Sequence, residues 1–359
     1  MKINILLPFF LDRPGGGVKV MYQYANLLAE RGHDVVIYHA KKTKWLHRKS
    51  FRSWYLYILQ RFFGKILRKR PIWFLLNETI QSLQIAWISN HLIRDADVIF
   101  STWWATATEM AELSSAKGNK FNLIQDDGTH HPSMLSAIRH SYQLPVHYLA
   151  ISKHIQEHVF QHTKKNIPLV SNGLNHREFF VQSPIESRLE TRVIMLYSEE
   201  EGKGSLYGLQ ALKYVKSRYT HLSVTLFGVY LAPPQDLPEG FTYYYNPDNL
   251  LELYNQSNIF VSPSLQEGWG LPPMEAMACG CACVCTRILG HMEFMDDYTT
   301  LLVEPKNISS MADAIIKLIE DNDLRIKLAN AGALRVKECT LDKSTDKLEK
   351  FFLEACCEK

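Results

Sequence analysis

The sequence predicts an α/β protein made of two doubly wound, Rossmann-like domains. Three observations carry that reading. The 359 residues exceed what one hydrophobic core usually supports. Strand-like apolar runs alternate with helix-length segments along the whole chain. With 46% hydrophobic and 21% charged residues, the chain can fill two cores, and it carries no low-complexity tract or charged tail of the disordered kind.

The elements follow in order. KINILLPFF (2–10) reads as a first buried strand. Its apolar run is too short for a leader and is followed by charged residues and glycines instead of a small-residue cleavage site. Gly15, Gly16 and Gly17 form a tight turn into an amphipathic helix, and HDVVIYHA (33–40) is the next strand, giving a βαβ opening. Further strands are expected at 97–102, 120–125, 147–152 and 167–173. VQSPIESRLETR (181–192) breaks the alternation with polar residues and a proline, so a domain boundary is expected there, dividing 1–180 from 181–340. The second alternation has strands at 193–198, 222–228, 241–246, 258–264 and 282–286, with helices at 206–218 and near 249–256. Helical segments at 309–338 and 344–357 close the chain, and residues 341–359 are expected to pack back on the first domain. No run of eighteen apolar residues occurs, so no transmembrane helix is expected. Ligands of such sheets sit beyond the carboxyl ends of the strands, which places the expected site in a cleft between the domains.

Seven cysteines are present, four of them at 279, 281, 283 and 285. Alternate residues of one strand do not converge on a single ion, so these read as small hydrophobes of a buried strand in a reducing compartment, not as a zinc site. The acidic pairs Asp95/Asp97 and Asp321/Asp323 stand before a strand and at a helix end, where such residues usually face water; no metal is expected.

The densest motif is EGWGLPPMEAMACGCACV (267–284). Pro272 and Pro273 suit the first turn of a helix and Gly280 its end. The helix N-terminus that follows the loop is a place for phosphates, and nearby carboxylates can accept hydrogen bonds from sugar hydroxyls. Glu267 and Glu275 stand eight positions apart in that setting.

Together with LAISKHIQEHV (149–159), VSNGLNHREFF (170–180), LLVEP (301–305) and MADAIIKLIEDNDLRIKLANAG (311–332), this stretch resembles the signature of family 4 retaining nucleotide-sugar glycosyltransferases. The resemblance covers most of the C-terminal half. It implies a GT-B fold, two Rossmann-like domains facing a central cleft, with Glu267 at the donor sugar, Glu275 on the nucleotide ribose, and Gly268, Trp269, Gly270 and Leu271 lining the donor between them. Lys203, in EEEGKGS, would stabilise the leaving diphosphate. The family usually has an arginine five residues earlier, where this chain has Ser198. Gly16 and Gly17 would approach the diphosphate from the first domain. In QDDGTHH, Asp126, Asp127, His130 and His131 are candidates for acceptor positioning or proton transfer, with Asp127 and His130 as the catalytic choices beside Glu267 and Lys203. The usual proposal for these enzymes has no covalent intermediate: the acceptor attacks on the face the diphosphate leaves. The nucleotide sugar is then a co-substrate, and no cofactor is expected.

LIQDDGTHHPS (123–133) is similar to the subgroup containing bacterial rhamnosyltransferases. It points to dTDP-rhamnose as first donor, with UDP- or GDP-sugars next, and to a glycan or lipid-linked acceptor in bacterial surface polysaccharide synthesis. A sugar-nucleotide epimerase of the same fold, or a non-catalytic membrane-associated assembly protein, are the alternatives.

Residues 41–74 hold eleven lysines and arginines and no acid, leaving the remainder of this +3 chain at −8. Interleaved aromatics suit an amphipathic surface on anionic lipid, although basic patches with aromatics also bind single-stranded nucleic acid and an insertion packed into the core would look the same. The glycosyltransferase resemblance selects the membrane, with no nucleic-acid partner, and a peripheral position on the cytoplasmic face.

Overall fold

The opening apolar run forms β1 (Lys2–Leu7), buried from Ile3 onward as expected of a central parallel strand. The computed structural model describes residues 1–41, 43, 66–129, 132–188 and 192–357. These fall into two compact units, Met1–Asn172 with Leu341–Lys359, and Gly173–Thr340.

In the first unit, β1 leads through α1 (Gly16–Glu30) to β2 (Asp34–Ala40). A two-residue strand β3 (Leu67–Arg68), β4 (Gln81–Ile85), β5 (Val98–Thr102), β6 (Asn119–Ile124) and β7 (His147–Ala150) follow. Among the described residues between β2 and the second unit, the α-helices are α2 (Trp104–Ala111), α3 (Leu135–Ser141) and α4 (Lys153–Thr163). The sheet order is β3-β4-β2-β1-β5-β6-β7, parallel except for edge strand β3. Leaving β3 aside, the order is third, second, first, fourth, fifth, sixth, which is doubly wound with its reversal between β1 and β5.

The second unit repeats that order. Its strands β8 (Arg192–Leu196), β9 (Ser223–Gly228), β10 (Phe241–Tyr245), β11 (Ile259–Ser262), β12 (Ala282–Thr286) and β13 (Thr300–Val303) run in the order β10-β9-β8-β11-β12-β13. Its helices are α5 (Ser205–Arg218), α6 (Leu250–Asn255), α7 (Leu271–Ala278), α8 (Ile308–Glu320) and α9 (Asn322–Lys337). The reversal lies between β8 and β11. Cys279, Cys281, Cys283 and Cys285 are all buried and unbridged, and burial raises the thiol pKa of Cys279, Cys281 and Cys283, so they behave as the small hydrophobes expected.

The structure departs from the sequence reading in several places. IPLVSNG (167–173) is not a strand: it makes one bridge, Leu169 to Ala150, and Pro168 has no N–H for a ladder. β4 and β13 (Thr300–Val303) went unread; QSLQI, the first, is half polar. The helical stretch at 309–338 is broken at Asp321, whose carboxylate accepts the Leu324 N–H at 2.8 Å and caps α9. The unit boundary falls at Asn172/Gly173, against the expected 180/181. The polar stretch taken for a linker is a strap of the second unit. Ile185 sits in that unit's core, and the Arg188 guanidinium donates to the Cys279, Gly280 and Ser257 carbonyls at 2.7, 3.1 and 3.0 Å, closing the C-terminal end of α7.

The last helix, α10 (Leu341–Cys357), returns to the first unit. Phe352 packs between Phe100 and Phe121, with ring centroids 5.3 and 4.8 Å away. Glu349 takes Arg31 at 2.7 Å and His33 at 2.6 Å. No helix among the described residues is long and apolar enough to cross a membrane. Of the basic segment 41–74, only 41, 43 and 66–74 lie within the described residues.

Candidate functional site

Both strand-order reversals carry the loops that doubly wound sheets use for ligands. In the second unit, the loop leaving β8 turns through a short 3-10 helix (Glu201–Lys203) and Gly204. Gly204 has φ +61°, and a Cβ there would lie 2.1 Å from the Pro263 carbonyl oxygen, so this glycine is required both by its backbone angles and by the close approach of the next loop. The Leu265 N–H donates to the Gly202 carbonyl at 2.8 Å, locking the β8 and β11 loops together.

That lock brings two expected residues into contact. Lys203 Nζ donates to Glu267 Oε1 and Oε2 at 2.8 and 2.9 Å, and Ser264 Oγ donates to Oε1 at 2.9 Å. Burial alone would raise the Glu267 carboxyl pKa, since its side chain is only 13% exposed. The charge and hydrogen bonds of Lys203, with help from Ser264, outweigh burial and hold it below the ordinary carboxylate value. The pair is therefore ionised and self-neutralising. The pocket beside it measures about 10 Å³, the size of a single water, so a ligand here would lie over the pair on the open loop surface.

The α7 N-terminus is built as the prolines imply, with Pro272 and Pro273 in its first turn. Its cap, Gly270, has φ +106°, and a Cβ would meet the His291 ring at 2.8 Å. His291 is fully buried. Its Nδ1 donates to the Thr286 carbonyl at 2.8 Å, which leaves Nε2 as acceptor facing Ser262 Oγ at 3.4 Å. Burial lowers its pKa and keeps it neutral. Gly290 lies under Glu267: a Cβ there would be 2.4 Å from the Glu267 carbonyl oxygen.

Glu275 lies on α7, 5% exposed, and accepts the Tyr254 phenol at 3.2 Å. Trp269, expected beside a donor, turns inward: it is 5% exposed, stacks on Phe294 at 5.6 Å and donates to Met274 Sδ at 3.4 Å. Gly268 and Leu271 are half-buried beside it. Ser198, which stands where the resembled family has arginine, donates its N–H to Ser205 Oγ at 2.9 Å and accepts the Glu200 N–H at 3.2 Å, so it serves the loop and adds no charge. The sequence reading missed Ser264, Tyr254, Gly290 and His291; nothing in "ILGHME" marks the last two.

In the first unit, a cavity of about 310 Å³ opens at the β1/β5 reversal. Gly16 and Gly17, at the start of α1, are on its wall, as are Trp103 and Asp126. Gln125 Nε2 donates to the Gly17 carbonyl and to Thr102 Oγ1, both at 3.0 Å, tying the glycine turn to β5. Trp103 has φ +72° and ψ 138°, a conformation that costs a non-glycine residue on the order of 1–3 kcal/mol and clusters at ligand sites. Asp126 lines the cavity, while Asp127 does not; Asp127 Oδ1 closes its own turn, accepting Thr129 N–H and Oγ1 at 2.9 and 2.8 Å. His130 and His131 lie outside the described residues.

The remaining acidic pairs are occupied structurally: Asp95 by Lys117 at 2.7 Å, Asp97 by the Lys2 N–H at 2.7 Å, and Asp321 by its cap. Among the described residues no cluster of three or more histidine, cysteine or carboxylate groups is placed to hold a metal.

Residues 239–335 match the model of "Glycosyl transferases group 1". This segment carries both glutamates of the site and the whole of α7. Among curated relatives, a D-inositol 3-phosphate glycosyltransferase of Corynebacterium jeikeium is 34% identical over 109 residues, 30% of this chain and 26% of that protein. The serotype-specific mannosyltransferase WbdA of Escherichia coli is 25% identical over 237 residues, 63% of this chain and 25% of that protein. The chain thus spans about a quarter of the length of these relatives. The fold extends further than the sequence likeness. An Anabaena protein, HepE, solved with UDP and glucose, superposes with a TM-score of 0.73 over 99% of this chain and 100% of its own, at 16% identity. The two Rossmann-like units are those of the GT-B fold.

Proposed function

We propose that this chain is a retaining, metal-independent glycosyltransferase that moves a sugar from a nucleotide-sugar donor to a glycan or lipid-linked acceptor in surface polysaccharide synthesis. The observation that carries the reading is the Lys203–Glu267 pair. An ionised, mostly buried carboxylate and its counter-ion stand at the strand-order reversal of the unit that matches group 1 glycosyl transferases. A donor diphosphate competes with Glu267 for the Lys203 ammonium. Released from it, Glu267, in the loop before α7, accepts hydroxyls of the sugar, while Glu275, on α7, accepts the ribose hydroxyls. The bond from the anomeric carbon to the diphosphate breaks as the bond to the acceptor oxygen forms, and a phosphate oxygen takes the acceptor proton. No cofactor takes part in these steps.

The sequence resemblance favours dTDP-rhamnose as donor. The names of the relatives favour mannosyl or other sugars, and HepE's bound UDP favours a UDP-sugar, so all three nucleotides belong in the test. A peripheral position on the cytoplasmic membrane face is supported by the charge of segment 41–74 and by Ile72 and Leu75, 92% and 89% exposed at its end. The deciding experiment measures nucleoside diphosphate released from dTDP-rhamnose, GDP-mannose and UDP-glucose, with and without lipid-linked acceptors. Acceptor-dependent release that collapses in Lys203→Met supports transfer. Turnover of donor without acceptor supports the epimerase, and no thermal shift with any nucleotide sugar supports a non-catalytic assembly role.

A further inference from the structure

A second cavity of the first unit, about 290 Å³, lies along β7, the last strand in the sheet order. It shares no lining residue with the cavity at the β1/β5 reversal. We infer that it is a nucleobase site, taking a pyrimidine that presents an N–H beside a C=O, as uracil and thymine do.

The open edge of β7 is the first reason. The Ala150 N–H donates to the Pro168 carbonyl at 2.9 Å, and the Ala150 carbonyl accepts the Val170 N–H at 2.8 Å. Alternate residues of a parallel ladder turn both groups to the same side, so Tyr148 also faces its N–H and C=O outward. Continued by two residues, that register would give Tyr148 the Asn166 carbonyl and the N–H of residue 168. Residue 168 is proline and has no N–H, and among the described residues neither Tyr148 group has a backbone partner on that side. Tyr148 is 6% exposed and its phenol is committed to the Ser141 carbonyl, so its backbone is what meets the cavity. Buried backbone groups are nearly always paired. One donor and one acceptor on a single residue match the edge of a cyclic amide.

The length of the gap selects a ring over a strand. The edge is paired again from Pro168 onward, which leaves His147 and Tyr148 open, about 7 Å at roughly 3.3 Å per residue. An added peptide strand would run into Pro168 after two residues, whereas a six-membered ring ends inside the gap. The walls suit a flat, apolar face: His147 stacks on Phe121 with centroids 4.8 Å apart, and Phe351 of α10 lines the same cavity. Lys165 and Glu354 line it with one charge of each sign, which suits a neutral base. The volume lies near the low end of the roughly 300–1,000 Å³ of ligand pockets, room for one base and its sugar. On the transferase reading, the nucleoside diphosphate released in each turnover carries such a base.

The test titrates the full chain with uridine, thymidine and N3-methyluridine by calorimetry. Uridine and thymidine should bind, and N3-methyluridine, whose methyl replaces the donated hydrogen, should bind at least about tenfold more weakly. Ala355→Phe fills the cavity from a half-buried position near the end of α10, so it should keep the melting temperature and abolish uridine binding. Phe351→Ala removes part of the wall and should weaken uridine about three- to tenfold. Glu275→Gln, a change in the proposed donor site, should leave this binding in place. Uridine binding that persists in Ala355→Phe and disappears in Glu275→Gln puts the base in the donor site alone and overturns the inference. Equal binding of N3-methyluridine, or no binding of uridine at millimolar concentration, overturns it too. Should Ala355→Phe lower the melting temperature, Phe351→Ala and N3-methyluridine decide in its place, and uridine binding untouched by that variant counts against the site. Nucleotide-sugar turnover on the same samples separates the two readings: transfer without uridine binding sinks this inference alone, whereas uridine binding through this cavity without transfer sinks the transferase alone.

Discussion

Lys203 and Glu267 are a pair in which each group depends on the other. Their side chains are 28% and 13% exposed, so removing the ammonium leaves a poorly solvated carboxylate. Lys203→Met should therefore destabilise the second unit by about 1–3 kcal/mol, below the 3–5 of a fully buried pair, and raise the pKa of Glu267 towards or above its ordinary value. The sign follows from the depressed carboxyl pKa of the intact pair: the stabilisation is complete above the unfolded pKa of about 4.3 and is lost as pH falls through the folded value. Thermal melts of wild type and variant should converge below that range, and parallel curves down to pH 3 would contradict the assignment. Glu275 predicts a different pattern. Glu275→Gln keeps an acceptor for the Tyr254 phenol, so the fold should change little, but a charge-assisted hydrogen bond contributes about 1.5–3 kcal/mol, and donor affinity should fall about tenfold or more. Unchanged affinity by nucleotide titration would remove Glu275 from the ribose.

At the scale of elements, α7 and α10 are each held by interactions distant in sequence. α7 is fixed at its start by Gly270 against His291. Gly270→Ala would place a Cβ at φ +106° and 2.8 Å from that ring, so a loss of about 1–3 kcal/mol is expected, seen as a lower melting temperature with the donor loop displaced. α10 is fixed by Glu349 on Arg31 and His33. Burial would raise the Glu349 pKa, but those two partners lower it, so its contribution is present above about pH 4.3 and is lost as pH falls through the lower folded value. Glu349→Gln should expose α10 amides to faster hydrogen exchange at pH 7, and wild type should approach the variant on acidification. Exchange rates that match at pH 7 would assign α10's docking to its other contacts, among them Phe352, Asp346 on Arg31 and Ser344 on the Ser171 carbonyl.

On the scale of the whole molecule, the concentration of positive charge in one segment is a statement about surfaces. Among its described residues, Arg70 is already committed: its guanidinium donates to the Ile80, Leu76 and Asn77 carbonyls at 3.0, 2.5 and 3.0 Å. Lys69 lies 3.9 Å over the Phe10 ring and 3.4 Å from Asp12, half-engaged, and the residue beside it, Arg68, is on the exposed edge strand β3. Arg68→Gln with Lys69→Gln should therefore reduce partitioning to anionic vesicles, by about tenfold or more at roughly 1 kcal/mol per charge, with high salt acting in the same direction. Arg70→Gln should instead destabilise its loop. Equal co-sedimentation of the double variant and wild type would mean that these charges do not meet lipid.

What the sequence determined by itself is whatever depends on neighbours in the chain. Apolar runs with glycine turns specified two doubly wound units, because a parallel strand buried on both faces must be continuously apolar. The prolines at 272 and 273 and Gly280 bounded α7, because their backbone angles admit little else. The tertiary structure decided what depends on residues far apart. The polar stretch around Arg188 became a strap, because its guanidinium found the open carbonyls of a helix about 90 residues away. Asp126 and Asp127 each closed an Asx turn, and of the two only Asp126 came to line the cavity. Trp269 turned inward, because Phe294 offered it a stacking partner. Glu267 acquired its counter-ion only when two loops from opposite sides of a strand-order reversal were locked by the Leu265 and Gln266 N–H groups on the Gly202 carbonyl. Proximity of that kind is a property of sheet topology, which no local pattern encodes.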